Sequence, residues 1–199
     1  MSEDSVNQPD LSSITGGHAF LEAPRLRSAI LYFIARIPQK LTRVALCKLL
    51  YYADGHFFQK YQRTITENPY LHIEGSPMPL FFNEIMHDMI NAGQIEVIPH
   101  VVTEMNDNQP IMVLKGLVYK ALVDSNDKFQ KPEKKVLSSV ASVFQSDLSL
   151  ETRYYPNLYQ GYAQTDLYKQ IVFEVLPEGK RPKLSFKAWA GKIFHLKMQ

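Results

Sequence analysis

Apolar residues recur at helical spacing from Leu26 through Ala29, Ile30, Phe33 and Ile34 to Ile37. That spacing of three and four predicts a helix. Pro24 suits its first turn, where a missing N–H costs nothing, and Pro38 stops it. A second helix is predicted from Thr42 to Gln62. Steps of 100° put Leu46, Leu50, Ala53, Phe57 and Tyr61 at its apolar centre, widened by Cys47, Tyr51 and Phe58. Only Lys48, Tyr52, His56, Gln59 and Arg63 make a narrow polar arc. A helix this apolar around its girth must be packed on several sides, so it is expected to be the central buried element.

Tyr70 to Glu74 reads as short and extended, and Glu74-Gly75-Ser76-Pro77-Met78-Pro79 as a turn-rich loop. A third helix is expected from Pro79, with Phe82, Ile85, Met86, Met89 and Ile90 on one face and Gly93 closing it. From Gln94 the period changes to two: Ile95, Val97, Val101 and Thr103 alternate with polar or turn residues. A turn over Met105 to Gln109 and a return strand from Pro110 to Leu122 complete a β-hairpin. Pro99 marks the first strand as an edge or the site of a bulge. Pro132 to Phe144 reads as a helix, Ser149 as the cap of a short one, and Ile171 to Leu176 as a strand. The expected fold is α+β: a mainly helical domain around a central buried helix, with a small antiparallel β element. Residues 1–23 read as a flexible arm, 24–177 as the domain, and 178–199 as a basic and aromatic tail holding Phe186 and Trp189.

Composition removes several function classes. The 199 residues are 45% hydrophobic and 21% charged, ordinary for a soluble globular protein. A net charge of +2 does not mark a nucleic-acid binder. A single cysteine, Cys47, rules out a disulfide framework and a cysteine-rich zinc site. No run is long enough to cross a membrane, and the polar N-terminus is no signal peptide. The expectation is a cytosolic protein without cofactor or metal. Six histidines are present, and His56, His72 and His87 lie on separate elements, but none stands at ligand spacing. Cys47, among apolar neighbours, reads as a packed thiol. There is no phosphate-binding glycine loop, Gly16-Gly17 being isolated.

One residue conflicts with its surroundings. Asp54 falls between apolar sectors, beside Leu50, Phe58 and Tyr61. A buried carboxylate needs donors. The turn-rich Gly75 to Pro79 loop offers backbone amides, and tyrosine hydroxyls or an arginine are alternatives. Asp54 is therefore expected to be a structural anchor, with a general acid or base as the competing reading.

The stretch Lys48-Leu49-Leu50-Tyr51-Tyr52-Ala53-Asp54 after Leu41-Thr42, followed by Tyr61-Gln62-Arg63-Thr64-Ile65-Thr66, resembles the Panacea domain of SocA-like antitoxins. That pattern runs K-L-L-Y-F-A-D, G-R-x-I/L, an aromatic-rich stretch, then Y-G-P-V-P. Gly75, Pro77 and Pro79 match its last element, with Ser76 inserted. Gly93, Ile95-Glu96-Val97, the hairpin and the helix from Pro132 follow in the same order. Leu148-Ser149-Leu150-Glu151 begins the next element similarly, but Tyr154-Tyr155-Pro156-Asn157 stands where relatives carry Ser-His. The resemblance spans about Arg25 to Leu176. It implies a non-enzymatic protein that binds and neutralises a cognate toxin encoded next to it, in one branch as an adaptor delivering the toxin to a protease. It also implies Lys48, Tyr51, Asp54, Gly75, Pro77 and Pro79 as the structural motif. For partner binding the expected residues are Tyr52 and His56 on the polar arc, Asn106 and Asp107 at the hairpin tip, and Phe186 and Trp189 in the tail. The competing readings are a hydrolase using Asp54 and His56, and a nucleic-acid-binding regulator, which would need a contiguous basic face.

Overall fold

The computed structural model describes residues 22–37, 41–107, 109–125, 128–146 and 160–178. The N-terminal arm up to residue 21, the Ser149 cap, Tyr154 to Tyr159, and the tail with Phe186 and Trp189 lie outside them.

Helix α1, Pro24–Arg36, and helix α2, Arg43–Tyr61, follow their sequence signals closely. Thr42 caps α2, its side chain accepting from the Ala45 amide at 3.2 Å. Gln62 ends it in the left-handed region, with φ 52° and ψ 28°. That is a conformation in which a side chain is strained and glycine is not.

Strands β1, Tyr70–Ile73, and β2, Ser76–Pro79, form a tight hairpin in which Ile73 pairs with Ser76. Gly75 supplies the positive φ of 78° that the turn needs. The expected 74–79 loop is thus a turn and a strand, and Pro79 ends that strand instead of starting a helix. Pro77 and Pro79 are tolerated because β2 is an edge strand of a three-stranded sheet with β1 at its centre. Helix α3 begins later, at Phe82, and ends at Asn91. Gly93, at φ 67°, follows it.

Strands β3, Ile95–Asn106, and β4, Gln109–Ala121, make a separate two-stranded ribbon. At about 3.3 Å per residue it is roughly 40 Å long. Only its base is buried, through Ile95, Val118 and Tyr119, where α1 packs on β4 and α3 on β3. Helix α4, Lys131–Ser146, and the short helix α5, Gln160–Gln164, complete the helices described.

Strand β5 holds only Gln170–Ile171, paired with β1. The strand expected over Ile171 to Leu176 stops there because the chain leaves the sheet and lies on α2. Gln59 replaces the ladder: its Nε2 donates to the Glu174 carbonyl at 2.7 Å, and its Oε1 accepts from the Leu176 amide at 2.8 Å. Phe173 stacks on Tyr51 at 5.1 Å.

Helix α2 packs against α1, α4 and β2. Lys48, Tyr52 and Gln59 of its polar arc are buried. The arc is covered because Phe144 of α4 stacks on Tyr52, with ring centroids 5.8 Å apart, and because the 174–176 segment crosses Gln59.

Candidate functional site

Two regions carry the polar and apolar features that the core does not absorb in the ordinary way. The first is Asp54. It has no solvent exposure, and its two oxygens accept four hydrogen bonds. Oδ1 accepts from the Ile65 amide at 2.6 Å and the Thr66 amide at 2.9 Å. Oδ2 accepts from the Tyr70 hydroxyl at 2.7 Å and from the Thr66 hydroxyl. The donors come from the reversal after α2, not from the Gly75 to Pro79 loop. The left-handed Gln62 turns the chain back along the helix, so that two successive amides meet a carboxylate two turns up. The tyrosine hydroxyl foreseen as an alternative does contribute, and it belongs to Tyr70. Burial pushes the Asp54 carboxyl up to about 6, while the hydroxyls of Thr66 and Tyr70 and the two amides hold it back.

This anchor continues outward. The Ile65 carbonyl accepts from Arg25 Nε at 2.7 Å, and Arg25 Nη2 reaches Glu133 Oε1 at 2.6 Å. Arg63 Nη1 lies 2.8 Å from the same oxygen. The other oxygen of Glu133 accepts from the Gln130 amide at 2.7 Å and so caps α4. Burial raises the Glu133 carboxyl, but Arg25, the Gln130 amide and Arg63 outweigh it and hold it below the usual range. One connected set of bonds thus joins α1, α2, the 62–69 segment, β1 and α4. Sequence reasoning did not find Arg25 or Glu133. The available signal was a glutamate three residues after Gln130, just before an apolar helical face.

The other expected site residues are placed as follows. Tyr51 is buried, and burial raises its hydroxyl pKa against the lowering effect of the Tyr162 amide. Tyr52 is 3% exposed and stacked under Phe144, so it does not stand on a partner surface. His56 is half-buried, and burial lowers its pKa. Its Nδ1 has no hydrogen-bond partner among the described residues. Asn106 and Asp107 are exposed at the ribbon tip, where Asp107 adopts φ 46°. His72 is held by the Thr165 carbonyl and His87 by Asn91. Among the described residues no three metal-ligating side chains come together. Cys47 is sealed, and burial pushes its thiol up to about 12.

The second region is the distal ribbon. Facing pairs share one side of a strand pair. Pro99 faces Leu117, Val101 faces Leu114, Thr103 faces Met112, and Met105 faces Pro110. Leu114 and Leu117 are three residues apart and would point to opposite sides of a regular strand. The register shift between His100 and Val101, opposite Lys115 and Gly116, brings them to the same side. This side continues the buried face of Ile95 and Tyr119, yet Met105, Met112, Leu114 and Leu117 are at least half exposed. The other side carries the Lys115–Glu104 and Lys120–Glu96 ion pairs among Ile98, Val102, Ile111, Val113 and Val118, so it mixes charge with apolar residues.

The architecture defines an α+β domain of five described helices with two small antiparallel sheets, a sealed carboxylate anchor and a projecting ribbon. The profile of the family described as antitoxin SocA-like, Panacea domain, matches residues 46–148, about half of the chain. The chain belongs to this family. The matched span contains both Asp54 with its donors and the whole ribbon. No curated protein and no solved structure matches the chain. Among the described residues no helix is long and apolar enough to cross a membrane.

Proposed function

We propose that this protein is a cytoplasmic antitoxin that neutralises one cognate protein toxin by direct, non-covalent contact, either by blocking it or by delivering it to a protease. Membership of the SocA-like family is the observation that carries this reading. The geometry around Asp54 supports a binding role over a hydrolytic one. All four of its bonds go to the protein itself, it has no access to solvent, and His56 is not among its partners. A carboxylate so engaged holds structure and does not meet a substrate. Phe186 and Trp189 stay candidates for part of the contact, as do Asn106, Asp107 and the exposed edge of His56.

The test is co-expression with the protein encoded beside it. The expected outcome is rescue of growth from that protein's toxicity and its co-purification with the tagged chain. Growth arrest that persists, with no co-purification, would contradict the reading. Rescue that disappears in protease-deficient cells while binding persists would establish the adaptor form.

A further inference from the structure

We infer that the apolar side of the β3–β4 ribbon, centred on Met112 and Leu114, is where the toxin docks, and that the toxin meets it with an uncharged, apolar surface. The inference rests on the antitoxin reading and assigns its contact surface.

The first reason is exposure. Met112 is 80% exposed, Met105 68%, Leu114 61% and Leu117 51%. They lie on one side of the ribbon with Pro99, Val101 and Pro110. Single exposed apolar residues are ordinary, but a contiguous set marks a place where something binds. The second reason is charge. From Pro99 to Met105 and from Pro110 to Leu114, then at Leu117, this side holds no ionisable group. Charge is confined to the opposite side, where Glu104 pairs with Lys115 and Glu96 with Lys120. A charged partner surface would lose its hydration here and gain no counter-charge.

The third reason is how the edges are treated. A two-stranded ribbon offers two open edges, which invite strand pairing with another chain. Here Pro99 removes an N–H from β3, and the bulge at Lys115 and Gly116 interrupts β4. Both edges are blunted while the apolar face is left uncovered, so a partner is taken on the face and edge-to-edge self-assembly is opposed. Met105 and Met112, unbranched and polarizable, adapt their shape to what they meet.

The test compares three full-length proteins: wild type, a Met112→Asp/Leu114→Asp variant, and a Glu104→Gln/Lys115→Gln variant altered on the opposite side. The probe is the protein encoded beside this one, measured by titration and by growth rescue. The inference expects at least a tenfold loss of affinity and loss of rescue for the first variant, an unchanged melting temperature, and near wild-type binding for the second. Should the aspartates impair folding, Met112→Ser/Leu114→Ser serves with the same expectation. Wild-type affinity in a folded apolar-side variant would overturn the inference and leave the antitoxin reading standing. Failure of the wild type to bind would overturn both. Three other results would hand the surface to another occupant and equally overturn the inference. One is a wild-type dimer that the apolar-side variant turns into a monomer. Another is flotation of the wild type with phosphatidylcholine vesicles that the variant loses. The last is ribbon amide exchange that quickens when residues 179–199 are removed.

Discussion

Asp54 and the β3–β4 ribbon are opposite departures from the rule that apolar residues go inside and charges outside. At Asp54 a charge is inside, and the protein surrounds it with four donors drawn from the α2 reversal and β1. At the ribbon an apolar face is outside, and no described element covers it beyond the base. The difference separates a charge that the fold itself satisfies from an apolar face that the described fold leaves to solvent. The donors that neutralise Asp54 also fix the path of the chain after α2, so the burial of that charge specifies the fold. Covering the ribbon face would bring no comparable specification within the chain, and its burial is left to association.

The comparison predicts unequal responses to mutation. Asp54→Ala strands two amides and two hydroxyls in a dry core, and should cost about 3 kcal/mol or more in urea denaturation. Asp54→Asn should cost only about 1 kcal/mol, because its carbonyl can keep the two amides while the hydroxyls of Thr66 and Tyr70 turn to accept from its amide group. An Asn variant as unstable as the Ala variant would mean that charge, not hydrogen bonding, holds the anchor.

The same pair has a pH signature. Burial lifts the Asp54 pKa in the folded chain to about 6, above the unfolded value of about 4. The folded state then binds more protons between those values. The contribution of Asp54 is largest below the unfolded pKa and is lost as pH rises through the folded one. Going from pH 7 to pH 5 should therefore stabilise wild type relative to Asp54→Asn. The difference between the two proteins isolates this effect from His56 and Glu133, whose lowered pKa values act in the opposite sense. Parallel stability curves for the two proteins would refute it.

Gln62→Gly relieves the left-handed strain at φ 52° that lets the chain reverse onto Asp54. It should stabilise by about 0.5–1 kcal/mol, read as a rise in melting temperature. At the far end of the scale, Met112→Ser or Leu114→Ser on the ribbon should change stability by no more than about 0.5 kcal/mol. A loss of several times that would show that the face is already packed within the chain.

The legibility of the two regions differs for physical reasons. The bounds of α2 could be read because Thr42 and the residues to Gln62 carry capping and periodic signals in their side chains. The ribbon could be read from alternation, and Pro99 anticipated the register shift one residue beyond it. That Asp54 is an anchor was legible from its neighbours, but its partner segment was not. Two of its four donors are backbone amides, which every residue but proline has. The Gly- and Pro-rich 74–79 stretch advertised free amides more loudly than Arg63-Thr64-Ile65-Thr66, yet it forms a turn and an edge strand. The extended 172–176 segment hid for a related reason: the side chain of Gln59 does the work of a neighbouring strand. Tyr52 was misplaced because helical phase shows which residues share a face, not whether α4 will later cover it.

Amide hydrogen exchange on the isolated protein tests the account most directly, since it reads both regions at once. The Ile65 and Thr66 amides, though outside any helix or strand, should exchange as slowly as the amides of α2, because they open only when Asp54 is released. The ribbon amides from Val101 to Leu114 should exchange much faster, by local opening, at every denaturant concentration below the unfolding transition. Fast exchange at Ile65 and Thr66, or ribbon protection equal to that of α2, would contradict it.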